Sequence, residues 1–429
     1  MDFFGLRPLN ASEKQKIVEA FYKKAVKNIS VNTIKKSAGP LMLPSHIHPP
    51  KLSYEALEGK VAIGVDVGGT NLRIGTGRIK QGKISPLEKI IIAKIGTRYK
   101  SLEDFFKVIF DKGLKKYLLD YPDAPLACIF SFPGIGILEK KGVDMILPED
   151  LTKEWAIERS SGSKMGVRLN NFLQKNGIAA RNYLFDNDTV ALIKDDATDI
   201  GIVCATGYNL SFVYGDTIIN TEAGSADTAP EIELIASRLK KEIASDAKRD
   251  EYQISGKYLG PSLAIVAKEM RDRNKNIFLS VKNFNIDKSF VISDILSGNW
   301  PEVMNIFKTD VDFSKEEKST LTDIASFLRD RSAQIVACHI IGLKKGFFAD
   351  KNKLVLSSDG PVIQKVPGWT TKFFEEIAEL TNHKLEIIIN ETKYQDEEKE
   401  FRGIFDVMYQ TIEYFARKEG KLPKTTENK

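Results

Sequence analysis

The sequence predicts an α/β fold built from two similar lobes with a cleft between them. Three observations carry that expectation. VAIGVDVGGTNLRIGTGRI, residues 61–79, is an apolar run, a Gly-Gly turn and an alternating run, the signature of a β-hairpin. IGIVCATGYNLSFVYGDTII, residues 200–219, repeats that pattern, with CATGYN standing where the first copy has DVGGTN, so a weak internal duplication places one hairpin in each lobe. Around both, short strand-like runs alternate with stretches of helical periodicity, as in α/β domains.

The elements follow in order. Residues 11–28 set Ile17, Val18, Phe21 and Ala25 at helical spacing and predict an amphipathic helix. Proline-dense LPSHIHPP, residues 43–50, reads as loop, and KIIIAKI, residues 89–95, as a third strand. Residues 101–121 open with a capping serine and carry Leu102, Phe105, Phe106, Ile109 and Leu114 on one stripe, which predicts a single helix. LACIFSFPG, residues 126–134, and YLFDNDT, residues 183–189, return to strand. Residues 321–343 form a long apolar-periodic helix, KLVLSSDG (353–360) and KLEIIIN (384–390) are strands of the second lobe, and the lysine-rich tail after Arg417 is a solvated end.

Composition narrows the function. The 429 residues, 42% hydrophobic, suffice for two or three domains at about 150 residues each. Sixty-three basic residues against 58 acidic give a net charge of +5, too little for a nucleic-acid scaffold. Cys128, Cys204 and Cys338 are far apart and lack a CxxC pair, which argues against a disulfide framework or a zinc site. The opening lacks a basic leader with an apolar stretch, and no segment approaches the roughly 20 apolar residues that span a bilayer. The expectation is a soluble, cytoplasmic protein with neither nucleic acid nor membrane as partner.

Several motifs suggest chemistry. In DVGGTNLR the glycines let backbone N–H groups approach a phosphate, Thr70 adds a hydroxyl, and Asp66 is placed to hold magnesium through water. A tight hairpin with an ordinary aspartate is the competing reading; a second turn at residues 205–209 favours two loops gripping a triphosphate. FDNDTV offers Asp188 as a base for an attacking hydroxyl, with Asn187 to orient it, although Asn-Asp-Thr also reads as a helix cap. Glu222 in NTEAG and Glu251 in DEYQISGKYLG suit the vicinal hydroxyls of a sugar, or are surface charges. Thr152 and Lys153 in EDLTKEW are candidates to hold a hydroxyl and neutralise a migrating phosphate, or are ordinary surface residues.

Taken in order along nearly the whole chain, these segments resemble the hexokinase family, sugar kinases of the actin-like ATPase superfamily. DVGGTNLR is similar to the family's first phosphate motif, FSFPG to its FSFP, LTK to the core of WTKGF and FDNDTV to NDTV. ATGYN resembles GTGxN, NTEAG resembles NTEWG, EYQISGKYLG resembles EKxxxGxYLG, and RSA (331–333) and SSDGPVIQKVPGW (357–369) resemble the later segments.

The resemblance implies a two-lobe actin-like ATPase (ribonuclease H-like) fold. The small lobe would span 60–187 with a C-terminal helix at about 400–418, and the large lobe 1–59 and 188–399. It also implies transfer of the γ-phosphoryl group of ATP, with Mg2+, to the 6-hydroxyl of a hexose, glucose first, at the entry to glycolysis, by a monomer or homodimer. By the same resemblance Asp188 is the base, and Asn187, Asn209, Glu222 and Glu251 hold sugar hydroxyls. Ser131, Thr152 and Lys153 close from the other lobe, Lys153 facing the migrating phosphoryl group. Asp66, Gly68, Gly69, Thr70, Asn71, Arg73, Thr206 and Gly207 surround magnesium and phosphates.

Three departures bear on this expectation. Ala223 replaces the family tryptophan and GAFGD becomes Gly224 to Thr228, which predicts a looser or reshaped sugar loop; Ala205 replaces the first glycine of GTG. The family's GSGKGAA corresponds to the stretch Lys399, Glu400, Phe401, Arg402 and Gly403, which places bulky Phe401 where adenine would sit. A sugar-sensing homologue with little transfer activity is the rival reading.

Overall fold

The computed structural model describes residues 6–29, 39–50, 55–68, 71–96, 98–132, 134–147, 151–152, 156–193, 195–239, 250–274, 276–286, 290–390 and 401–420. Two large mixed sheets organise them. The first runs, edge to edge, through Lys83–Pro86, Asn71–Lys80, Val61–Val67, Leu126–Phe130, Tyr183–Asn187, Gly142–Ile146 and Ile135–Glu139, with Ile91–Lys94 also on Asn71–Lys80. The second runs through Leu43–Pro44, Thr217–Asn220, Tyr208–Tyr214, Ile200–Cys204, Lys353–Asp359 and Glu386–Ile389. Each of the two sequence repeats is an antiparallel hairpin, one per sheet.

Register in the first sheet matters most for the site. Val61–Val67, Leu126–Phe130 and Tyr183–Asn187 run parallel and end flush, with Val67, Phe130 and Asn187 in one row. One step back, Asp66, Ile129 and Asp186 stand side by side and point to the same face. The carboxyl ends of parallel strands are where open α/β sheets bind ligands, because the chain leaves the sheet there and exposes loop backbone.

The first helix, Ala11–Ile29, buries Ile17, Val18, Phe21 and Ala25 as the periodicity predicts. It packs on the 33-residue helix Lys315–Phe347, which starts at a capping box formed by Ser314 and Glu317. From Arg331 to Leu343 every residue of that helix is buried, so it is the spine of the large core, which explains why apolar and small residues cover all its faces there. The last helix, Arg402–Lys418, lies on the first sheet, sharing a core with Ala62, Ile129 and Leu184. Gly64 and Gly77 permit that approach, since a Cβ on either would collide with Met408.

Three local expectations are corrected. Residues 101–121 are not one helix: Ser101 does cap it, but Leu102–Ile109 gives way to a wide turn, Phe110–Leu114, and resumes at Lys115–Asp120. The cause is Gly113, whose φ of 149° is outside helical space. The strands Lys83–Pro86 and Ile135–Glu139 were not anticipated, and Leu43–Pro44, expected as loop, adds an edge strand to the second sheet. The tail beyond residue 420 lies outside the described residues. Among the described residues no helix is long and apolar enough to cross a membrane.

Candidate active site

The residues that follow the flush strand row, Gly68, Ser131 and Asp188, meet at one sheet edge. The Ser131 hydroxyl donates to Asp188 Oδ2 at 2.6 Å, and Thr189 Oγ1 donates to Oδ1 at 3.3 Å. Both readings of Asn-Asp-Thr hold at once. Asn187 Oδ1 accepts from Thr189 N at 2.9 Å and caps the short helix Asp188–Ala191, which fixes the direction in which Asp188 leaves the strand. Asn187 Nδ2 donates to the carbonyls of Phe130 and Phe132, each at 3.3 Å, so this amide also holds the loop that carries Ser131.

A ladder of amides continues into the second sheet. Asn209 Nδ2 donates to Asn187 Oδ1 at 3.3 Å and to Asn220 Oδ1 at 2.8 Å, and Asn220 Nδ2 donates to Glu222 Oε1 at 3.0 Å. Sequence reasoning singled out Asn209 and Glu222 but missed Asn220; its signal was its place in the same NTE segment. Glu251 opens the short helix Glu251–Ile254 and is 6% exposed. A Cβ on Gly207 would lie 2.9 Å from Glu251 Oε1, so this glycine is what lets the second hairpin sit over the carboxylate. Carboxylates from three segments and a chain of amides therefore border one region, a donor set suited to a polyol.

The loop after Glu222 is held by its own hydrogen bonds, which corrects the looser half of the expectation and leaves the reshaped half standing as an expectation. Ser225 N and Ser225 Oγ both donate to Glu222 O, at 3.0 and 2.7 Å, and Ala226 N donates to Ala223 O at 3.0 Å. Ala223 and Gly224 are buried.

On the other side of the sheet edge, Arg73 NH1 donates to Asp66 Oδ2 at 2.9 Å. Burial pushes the Asp66 carboxyl up, Arg73 pulls it back, and the charge of Asp359, from the second sheet, raises it further. Asp186, which the sequence did not flag, is 6% exposed; Oδ1 accepts from Asn187 N at 2.6 Å, whereas Oδ2 has no hydrogen-bond partner among the described residues. Burial, and then the charge of Asp188, push the Asp186 carboxyl well above the usual carboxylate range. At strand spacing, Asp66 and Asp186 leave the sheet about 10 Å apart on one face. Two buried carboxylates, one with an orphan oxygen, are a donor set that fits a hydrated divalent cation.

The remaining expected residues divide. Gly68 N donates to Asn71 O at 3.0 Å and closes the first hairpin, and the Asn71 side chain accepts from Lys94 at 2.8 Å. Thr206 is exposed at the tip of the second hairpin, where Ala205 N donates to Gly207 O at 2.8 Å. Thr152 pairs with Ala156 in a short strand, and Gly69, Thr70, Lys153 and Lys399 lie outside the described residues. Phe401 turns its ring edge-on to Phe405 at 6.4 Å, against the core of the last helix. Its neighbour Arg402 donates to Ser358 O at 2.7 Å and to Ser357 Oγ, tying the last helix to the second sheet.

Comparison with known proteins identifies the family and the fold. Two family models, each described as Hexokinase, match residues 7–197 and 199–396. The solved structure of hexokinase from Schistosoma mansoni complexed with glucose is similar at a TM-score of 0.77 and 16% identity, over 96% of this chain and 97% of that one. Another solved hexokinase gives 0.73 and 16%, with coverage of 96% and 97%. A ROK family glucokinase from Streptomyces griseus, in complex with glucose and AMPPNP, gives 0.51 and 13%, over 81% of this chain and 98% of that one. The shared architecture is the two-lobe actin-like ATPase fold. A search of curated proteins finds no match.

Proposed function

The chain belongs to the hexokinase family of ATP-dependent sugar kinases, and from that premise we propose that it transfers the γ-phosphoryl group of ATP to the 6-hydroxyl of glucose or a related hexose. The observation that carries the reading is the Ser131–Asp188 hydrogen bond of 2.6 Å, at the point where three flush strands end.

In the proposed reaction the hexose hydroxyl gives its proton to the Asp188 carboxylate as its oxygen forms a bond to the γ-phosphorus. The bond from that phosphorus to the β,γ-bridging oxygen breaks, and ADP leaves with the electron pair. Ser131 holds Asp188 in line before the sugar arrives. Asn209, Glu222 and Glu251 take sugar hydroxyls, while Asn187 orients both the base and the Ser131 loop. Thr152 and Lys153 complete the site from the small lobe, with Lys153 against the migrating phosphoryl group. Asp66 and Asp186 would hold Mg2+ through water, which supplies charge neutralisation to the phosphates. Gly68, Gly69, Thr70, Asn71, Arg73, Thr206 and Gly207 line their path.

We place the lobe boundary at the turn from Asn187 to Asp188, giving a small lobe of 60–187 with 400–418 and a large lobe of 1–59 with 188–399. Closure of the lobes would exclude water and limit ATP hydrolysis. The activity fits the first step of glycolysis in the cytoplasm. The sensing alternative is disfavoured, because the chain belongs to the hexokinase family and keeps Asp188, for which a sensor has no need. The test is a dehydrogenase-coupled assay of hexose 6-phosphate formation with Mg2+ and ATP over a panel of hexoses. Turnover that needs both ATP and Mg2+ is expected; silence across the panel, with active protein controls, contradicts the proposal.

A further inference from the structure

Deep in the large core, four side chains that touch no predicted substrate form one hydrogen-bonded chain. Tyr208 OH lies 3.0 Å from His339 Nδ1, His339 Nε2 lies 2.9 Å from Thr228 Oγ1, and Thr228 Oγ1 donates to Asp250 Oδ2 at 2.6 Å. His339 and Asp250 are wholly buried, and the imidazole is stacked on Phe21 at 4.1 Å.

Counting donors gives the chain one consistent direction. Asp250 only accepts: besides Thr228 Oγ1 it takes the backbone N–H groups of Thr228 and Ala229, at 3.0 and 2.9 Å. The one hydroxyl proton of Thr228 therefore points at Asp250, and a proton on His339 Nε2 faces both Thr228 Oγ1 at 2.9 Å and Asp250 Oδ2 at 3.3 Å. Nδ1 is then an acceptor for Tyr208, whose phenol keeps its proton because burial pushes it well above its ordinary range. The order Tyr208 to His339 to Thr228 to Asp250 leaves no member unsatisfied.

Each end of the chain adjoins the sugar site. Tyr208 precedes Asn209, Thr228 ends the loop that begins at Glu222, and Asp250 precedes Glu251, its N–H donating to Ala226 O at 3.1 Å. The hairpin tip proposed to face phosphate has backbone bonds of its own, Gly256 N on Ala205 O at 2.7 Å and Ala205 N on Gly207 O at 2.8 Å. Resting on the hexokinase reading above, we propose that His339 is a positioning residue that sets hexose affinity by fixing Asn209, the Glu222 loop and Glu251 in one register.

The test compares wild type with His339→Phe, which keeps the stack on Phe21 but removes both nitrogens, and with His339→Gln, which restores a donor and an acceptor. Expected for His339→Phe is a rise of about tenfold in hexose KM, the factor one buried hydrogen bond is worth, with nucleotide KM unchanged and kcat within about threefold. His339→Gln should recover much of that loss. Tyr208→Phe, which deletes one hydroxyl and should fold even if His339→Phe does not, is expected to raise hexose KM severalfold and to be non-additive with either His339 variant. An unchanged hexose KM in Tyr208→Phe and in the folded His339 variants overturns the proposal. So does a parallel loss of kcat and both KM values that His339→Gln fails to reverse, the mark of a merely structural role. A wild type that turns over no hexose sinks the hexokinase reading instead, and the glucose-induced rise in Tm, measured in the same variants, then tests the positioning of the sugar site on its own.

Discussion

Ser131 and Asp188 lie 57 residues apart in the chain, yet the hydroxyl of the first donates to the carboxylate of the second at 2.6 Å. Flush parallel strands bring them together: Phe130 and Asn187 are register partners, so the next residue of each emerges at the same edge. A hydrogen bond to a charged group is worth about 1.5–3 kcal/mol. Ser131→Ala is therefore expected to lower kcat by about tenfold or more, since an unheld base samples unproductive rotamers. Steady-state kinetics with saturating ATP would check this, and an unchanged kcat would remove Ser131 from the mechanism.

Asp186 makes an opposite prediction for stability and for function. Burial raises its folded-state carboxyl above the unfolded value, so the folded state binds the proton more tightly. Its contribution to stability is present at low pH and is lost as pH rises from the ordinary carboxylate range through the raised folded value. Near neutral pH the variant Asp186→Asn should thus be more stable than wild type by on the order of 1 kcal/mol, and the gain should vanish below about pH 4. Magnesium-dependent nucleotide binding should weaken at the same time. Calorimetry across pH and nucleotide titration with and without Mg2+ would test both halves; a variant less stable at every pH would show that the orphan oxygen has a structural partner.

A buried ion pair ties the first helix to the helix Trp369–Thr381. Lys14 Nζ lies 2.5 Å from Glu376 Oε2 and 2.9 Å from Glu379, with Lys14 and Glu376 side chains 6% and 1% exposed. Burial raises the Glu376 carboxyl, but hydrogen bonds from Lys14, Gln334 and Lys372 outweigh it and leave it depressed; burial lowers Lys14, but Glu376 and Glu379 outweigh it and leave it raised. The Glu376 part of the stability is present above the ordinary carboxylate range and lost as pH falls through the lowered value. The Lys14 part is lost as pH rises through its raised value. Removing one partner strands a buried charge, so Lys14→Met should cost about 3 kcal/mol by urea unfolding, with hexose KM unchanged. A cost near zero would mean that Lys372, 2.9 Å from Glu376, suffices alone.

Much of this was legible in the sequence, and the rest was hidden for physical reasons. Gly-Gly and Thr-Gly turns between alternating runs are local signals, so both hairpins could be read directly. The ordered motifs then identified the family. Hidden were features that depend on distant partners: Tyr208 and His339 are 131 residues apart, and nothing in RSAQIVACHIIGL marks its histidine as other than a core residue. Asp186 went unflagged, because only the register places it beside Asp66 across Ile129. The bulk of Phe401 said nothing of which way its ring turns. Gly113 sat inside a good helical stripe, and only its backbone angle shows the break.

The most direct measurement is Asp188→Ala, assayed for transfer and for hexose binding in the same preparation. The account predicts a fall in kcat of about a hundredfold or more, the scale of a lost general base, while glucose still raises the Tm of the variant. Near wild-type turnover by Asp188→Ala would contradict the assignment of the base and with it the reading of the whole sheet edge.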